Sequence, residues 1–251
     1  MARELQNKTI VITGGAMGIG YEIAENFLQK DPRVVIILDI NEKFGAEAIK
    51  KLEVKYGKNK AVFYKCDVTT DLEVIFEKII KEFTAVDVLV NNAGICNDNY
   101  LRKTIDVNVI ALMEWSLKFW KHMRTDKSGK GGTIINIASI YGYRVDPYVP
   151  VYHASKFAVM GFTKSLGHIK NFANYGVRVV AICPGFTSDT NLGSGNVTFI
   201  PELMEEVKAF ALRQVFQKPE AVGKAAVEVF EKADSGTAWL SEGGQPASLL
   251  Q

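Results

Sequence analysis

Residues 8–39, KTIVITGGAMGIGYEIAENFLQKDPRVVIILD, carry the pattern that decides the fold. The β-branched run 8–13 stops at Gly14-Gly15, the signature of a short strand entering a turn. From Gly18 to Lys30 the period changes, and Ile19, Ile23, Phe27 and Leu28 fall on one side of a helix. Asp31-Pro32 ends that helix. Val34-Val35-Ile36-Ile37-Leu38-Asp39 follows, an unbroken apolar run of the kind found in parallel strands buried on both faces. Strand, glycine turn, helix and buried strand make one βαβ unit.

Outward from this unit the alternation continues. The spacing predicts a helix over 42–57, a strand over 61–67, and a helix over 71–84 with Leu72, Ile75, Phe76 and Ile79 inward. It predicts a strand over 86–91, a long helix over about 101–125, and a strand leading to Ser139. A helix from 148 to 173, a strand over 176–183, helices over 202–213 and 219–233, and a short strand over 237–240 complete the chain. The expected fold class is α/β, a doubly wound (Rossmann) parallel sheet of about seven strands with helices on both faces. Residues 1–251 are expected to form a single domain, with a substrate loop at about 186–215. Ligands of such sheets bind at the carboxyl ends of the strands. Gly14, Asp39, Asp67, Asn91, Ser139 and Pro184 all fall on that edge.

The 30 basic and 28 acidic residues are spread without long runs, which excludes the clustered basic stripe of a nucleic-acid face. Cys66, Cys96 and Cys183 are odd in number and match no metal spacing, so reduced thiols in a cytoplasmic protein are expected. His122, His153 and His168 are equally scattered, and no metal site is expected. No stretch has the length of a membrane span.

Residues 131–156, GGTIINIASIYGYRVDPYVPVYHASK, carry the chemistry. A strand brings Ser139 to the rim, a turn with Gly142 and Pro147 follows, and Tyr152 and Lys156 share one helix face four residues apart. A free tyrosine titrates near ~10, so a phenolate base at neutral pH requires cations beside it. Lys156 is one, and an oxidised nicotinamide ring would be another.

The turn Thr13–Gly20, TGGAMGIG, lets backbone amides and a helix N-terminus approach a pyrophosphate, although its G-x-x-x-G-x-G spacing departs from the commoner G-x-G-x-x-G. Asp39 ends the second strand, where a carboxylate receives the ribose 2′-hydroxyl and repels a 2′-phosphate, favouring NAD over NADP. Asp67 is placed either to meet the adenine amino group or to cap the helix over 71–84. Asn91-Asn92-Ala93-Gly94 gives the small residues that let a cofactor pass, or simply a structural turn.

Together, TGGAMGIG at 13–20, Asp39, CDV at 66–68, NNAG at 91–94, Asn108 in DVNVIAL, Ser139, YHASK at 152–156 and PGFTSDT at 184–190 resemble the short-chain dehydrogenase/reductase family. Within it, GGTIIN, PVYHASK and GVRVVAICPGF are most similar to the branch of insect alcohol dehydrogenases and hydroxyprostaglandin dehydrogenases. The resemblance implies an NAD-dependent dehydrogenase acting on a secondary or lipid-like alcohol, with Asn108, Ser139, Tyr152 and Lys156 catalytic. Tyr152 would be the base, Lys156 would lower its pKa and bond the nicotinamide ribose, Ser139 would bind the substrate oxygen, and Asn108 would hold a helix kink and a water. The cofactor would lie against Gly14, Gly18, Ile19, Gly20, Asp39, Asp67, Val68, Asn92, Ala93, Gly94, Tyr152, Lys156, Pro184, Gly185 and Thr187. Thr187 would bind its carboxamide.

Ser139, Tyr141, Tyr148 and Phe186 are expected against the substrate, with Leu192, Phe199, Leu203 and Phe210 on the loop. That apolar lining suits an aliphatic or isoprenoid alcohol, a hydroxylated fatty acid or a steroid. Gly193 and Gly195 suggest a mobile lid, and Arg144 is the one nearby cation for a carboxylate. Trp115, Phe119, Trp120, Phe157, Met160 and Phe162 exceed the apolar surface one sheet face needs, so a homodimer through those helices is expected. A silent binding protein on the same scaffold and an NADP-linked carbonyl reductase are the competing readings.

Overall fold

The structure, a computed structural model, describes residues 3–192, 195 and 197–251. Its elements are β1 (Thr9–Thr13), α1 (Gly18–Leu28), β2 (Val34–Asp39), α2 (Glu42–Tyr56), β3 (Ala61–Lys65), α3 (Leu72–Phe83) and β4 (Val88–Asn91). Next come α4 (Leu101–Ile105), α5 (Leu112–Met123), β5 (Gly132–Ile137), α6 (Pro150–Leu166), α7 (Ile169–Tyr175) and β6 (Val177–Pro184). The chain closes with α8 (Met204–Ala211), α9 (Pro219–Lys232), β7 (Ala238–Ser241) and β8 (Ser248–Leu249). One eight-stranded sheet runs in the order β3-β2-β1-β4-β5-β6-β7-β8. All pairings are parallel except β7 with β8. The chain winds outward through β2 and β3, then returns to lay β4 on the other side of β1, and that reversal opens a crevice at the carboxyl rim.

Alternate residues of β1 feed opposite faces. Ile10 and Ile12 join Ile23, Phe27 and Phe230 in one core, while Val11 joins Leu89, Trp115 and Phe119 in the other. Phe27 is fully buried, a burial that contributes about 1.5–3 kcal/mol.

The structure differs from the sequence expectation in three places. The last strand, β8, is antiparallel and two residues long, reached through Gly243 and Gly244 at φ 62° and 71°. The helix expected over 101–125 is interrupted, because residues Asp106–Ala111 adopt a π-helical turn between α4 and α5. The helix expected over 148–173 divides at Gly167, where a Cβ would stand 2.5 Å from the Val179 carbonyl, and His168 caps the new helix by accepting from the Lys170 amide.

Candidate active site

The glycine turn is held by the neighbouring β4 turn. The Thr13 hydroxyl accepts from the Asn92 and Ala93 amides at 3.0 and 3.1 Å. In return, Asn92 Nδ2 donates to the carbonyls of Thr13 and Gly14 at 3.0 and 2.8 Å. Gly14 and Gly18 take φ values of +62° and +54°, which a side chain disfavours. At Gly20 a Cβ would lie 2.2 Å from the Gly14 carbonyl, so only glycine fits. Helix α1 starts at Gly18 with no capping side chain and no acidic residue in its first turn. Its first amides therefore remain available to an anion. Asp39 completes the cradle: Oδ2 accepts from the Ala16 amide at 3.1 Å and Oδ1 from the Asn41 amide at 2.9 Å. A cavity of about 640 Å³ opens beside this turn, lined by Met17, Gly18, Tyr21, Phe44 and Lys51 among others. The uncapped helix, the two left-handed glycines and the carboxylate at the end of β2 fit a dinucleotide.

Of the alternatives at Asp67, helix capping falls away. Its carboxylate accepts from the hydroxyl and amide of Thr69, at 2.6 and 2.9 Å, and these bonds hold it below the usual carboxylate range. The residue preceding α3 is Asp71. Val68 offers its carbonyl to Trp115 Nε1 at 2.9 Å.

On the other side of the crevice, β5 delivers Ser139 to the rim, and its hydroxyl accepts from the Tyr141 amide at 3.1 Å. Tyr152 and Lys156 rise from α6 on one face, 4% and 5% exposed. Lys156 Nζ lies 5.5 Å from the Tyr152 ring centroid and donates to the Ile137 carbonyl at 3.0 Å. Burial lowers the Lys156 pKa to about 8. Burial also pushes the Tyr152 phenol well above its ordinary value, and the facing Ser139 hydroxyl offsets only part of this. In the chain alone, therefore, desolvation outweighs the lowering expected from Lys156.

Asn108 sits in the π-helical turn, 1% exposed. Its Oδ1 accepts from the Ile95 amide at 2.9 Å, and its Nδ2 donates to the Ile95 carbonyl at 2.8 Å and to Ser155 Oγ at 3.1 Å. A Cβ on Gly94 would meet Asn108 Oδ1 at 3.3 Å and Lys156 Nζ at 3.8 Å, so the NNAG turn packs directly on this pair. At the end of β6, the Gly185 amide donates to Ser241 at 2.8 Å, which fixes Pro184 and Gly185, and the Thr187 hydroxyl donates to the Gly185 carbonyl at 3.0 Å.

Tyr141, Tyr148 and Phe186 do come together over Tyr152. Tyr141 meets Tyr152 edge-on at 6.2 Å and Phe186 at 6.0 Å, and Tyr148 stands 5.1 Å from Phe210. Leu203 packs on the same cluster, whereas Leu192 and Phe199 point outward, 44% and 51% exposed. Gly195 is at φ +83°, and Gly193 lies outside the described residues. Arg144 is not free to meet a substrate carboxylate, because it grips both oxygens of Glu242 at 2.6 and 3.0 Å.

Several residues at the site carried no spacing signal. Ser155 accepts from Asn108 and donates to the Tyr152 carbonyl at 2.7 Å. Asp98, in the turn after β4, receives the Val151 and Tyr152 amides at 2.7 and 3.0 Å. Glu206 on α8 accepts from the Tyr148 hydroxyl at 2.9 Å. Only Ser155 had a sequence cue, its place inside YHASK.

Comparison with known proteins agrees with this geometry. The family model for short chain dehydrogenase matches residues 8–198. Alcohol dehydrogenase 1 of Ceratitis cosyra is 35% identical over 240 residues, covering 94% of this chain and 92% of the relative. The 15-hydroxyprostaglandin dehydrogenase [NAD(+)] of Homo sapiens is 35% identical over 192 residues, covering 76% and 72%. The crystal structure of gox2181 shares the fold, with a TM-score of 0.80 at 23% identity over 96% of both chains. On these matches the chain belongs to the short-chain dehydrogenase family, oxidoreductases that work with nicotinamide cofactors.

Proposed function

We propose that the chain is an NAD-dependent dehydrogenase that oxidises an uncharged, lipid-like alcohol, with Tyr152 as general base. The observation that carries this is the meeting of Ser139, Tyr152 and Lys156 at the carboxyl rim, across the crevice from the uncapped glycine turn. Ser139 and Tyr152 grip one substrate oxygen, and Tyr152 takes its proton. Lys156 stands beneath the phenol, and Asn108 fixes the Ile95 backbone beside it. When bound, the nicotinamide accepts the hydride and adds positive charge near the phenol.

NAD is favoured over NADP because the Asp39 carboxylate would face a 2′-phosphate. Arg33, a potential phosphate partner, donates instead to the Phe83 carbonyl at 3.3 Å. The aromatic wall suits an apolar substrate, and the locked Arg144 favours an uncharged alcohol over a hydroxy acid.

The working unit in this reading is one domain paired as a homodimer. Trp115, Phe119, Trp120 and Met160 are buried in the chain's own core, so they are not spare surface. Tyr100 just before α4, Leu101 on α4, Ile110 in the π-helical turn, Leu117 on α5 and Phe157 on α6 are exposed and supply the contact instead. No helix among the described residues is long and apolar enough to cross a membrane, and a cytoplasmic place suits the three free cysteines.

The test is absorbance of NADH produced from a panel of alcohols by wild type and Tyr152→Phe. Loss of at least about a thousandfold in kcat, with NADH affinity kept, is expected. Near-normal turnover by the variant would remove the assignment, and no turnover by wild type would favour a silent binder.

A further inference from the structure

The first turn of α6 carries Tyr152, yet it has no cap of its own. Val149, the residue before it, offers no side-chain bond, and Pro150 has no N–H. The next two amides, Val151 and Tyr152, go to the two oxygens of Asp98, a residue 4% exposed and 54 positions from Tyr152 in sequence. The cap of the catalytic helix is thus borrowed from the turn after β4.

That same turn holds the substrate loop. The Asp98 amide donates to the Val197 carbonyl at 2.8 Å, and Asn99 Nδ2 donates to the Thr198 carbonyl at 3.2 Å. Val197 and Thr198 are buried, and Val197 packs in the cluster with Tyr148, Val149 and Tyr152. On its other side the turn is clamped by Asn108 through Ile95. One buried carboxylate therefore bonds the backbone of Tyr152 while its own backbone bonds the loop over the substrate.

We propose that Asp98 is a positioning residue that couples placement of the substrate loop to placement of Tyr152. When the 197–198 segment seats, the Asp98 amide is fixed, and its carboxylate sets the height and tilt of the first turn of α6. An unseated loop leaves Tyr152 imperfectly aimed, so proton transfer proceeds only with the loop down. The coupling rests on Tyr152 being the base, and the test separates the two.

The experiment is a cycle of Asp98→Ala, Asn99→Ala and the double variant, read by kcat, KM, NADH affinity and amide hydrogen exchange of the 148–156 peptide. Asp98→Ala is expected to lower kcat about tenfold or more, and Asn99→Ala about threefold, with NADH affinity within about twofold. In the Asp98→Ala background the Asn99→Ala effect on kcat should vanish, because both act through one linkage. Asp98→Asn keeps one acceptor and should recover part of the lost kcat; it replaces Asp98→Ala in the cycle if the latter does not fold. Asn99→Ala should also speed exchange of the 148–156 peptide, although the substitution lies outside it. Additive effects on kcat, an unchanged peptide, or a fall in NADH affinity parallel to kcat would overturn the coupling. A wild-type chain with no alcohol turnover but the expected exchange response would overturn the base assignment alone.

Discussion

Replacing Lys156 by methionine should stabilise the protein at neutral pH while destroying its activity. The ammonium is 5% exposed, and burial lowers its pKa from the ordinary 10.5 to about 8. At about 1.4 kcal/mol per pH unit, holding that charge inside at pH 7 costs the fold about 3 kcal/mol. The sign follows from proton counting. Between pH 8 and 10.5 the unfolded chain binds more protons at this site than the folded one, so wild type gains stability as pH rises through that window. Lys156→Met has no such term. It does leave the Ile137 carbonyl without its Nζ donor, which costs about 1–3 kcal/mol at every pH. The pH-dependent part is therefore the clean observable. Urea unfolding of both proteins at pH 7 and pH 10 should show the stability difference moving by about 2 kcal/mol towards wild type at the higher pH. Groups away from Lys156 titrate alike in the two proteins, and burial keeps Tyr152, Cys96 and Cys183 protonated in the fold across this window. A difference constant to within about 0.5 kcal/mol would mean that Lys156 is not desolvated, and the description of the site would have to change.

Two further substitutions test the scaffold. Gly20→Ala places a Cβ 2.2 Å from the Gly14 carbonyl and 2.5 Å from Asn92 Nδ2, and a backbone oxygen cannot move aside. NADH affinity, measured by fluorescence, should fall about a hundredfold or more, and unchanged affinity would mean the glycine turn is not the cofactor site. Arg178 is 1% exposed and donates to the carbonyls of Val229, Phe230 and Ala233 at the end of α9. Arg178→Met takes away the donor to the Phe230 carbonyl, while Ala233 keeps Arg3 and Val229 keeps the Ala233 amide. It should cost about 1–3 kcal/mol in urea unfolding, with NADH affinity of the folded protein unchanged.

The seven parallel strands were legible because each announces itself in one local pattern, whereas the two-residue β8 offers none. β2 is a continuous apolar run, and β1 ends on Gly14, whose backbone angle only glycine takes easily. The pair Tyr152 and Lys156 was legible for the same reason, since one helical turn fixes which residues share a face. The π-helical turn at Asp106–Ala111 was not, because one extra residue per turn leaves the hydrophobic period nearly intact. Asp98 was invisible for a deeper reason. It sits in a polar turn where aspartate is unremarkable, and its partners lie 53 and 54 residues away. Arg144 shows the converse: it lies close to Ser139 in sequence, yet its two bonds go to Glu242, a partner 98 residues on that no local pattern reveals.

The opposite pKa movements of Tyr152 and Lys156 have one cause, and it bears on how the site is used. Burial disfavours charge on either group, raising the phenol and lowering the ammonium, so the chain by itself keeps Tyr152 protonated and holds the Lys156 charge at neutral pH only at a cost to the fold. The aromatic cover formed by Tyr141, Tyr148, Phe186 and Phe210 keeps water from relieving that penalty. A phenolate then requires a further positive charge inside the same dry space. In the proposed reading, proton abstraction is in this way conditional on occupancy of the crevice, and Tyr152 in the free chain has little capacity to act as a general base. Spectroscopic titration of Tyr152 is expected to find it protonated past pH 10 in the free protein, and ionised at lower pH only once NAD+ is added. Ionisation near neutral pH without NAD+ would show that Lys156 alone suffices and that desolvation is not the controlling force.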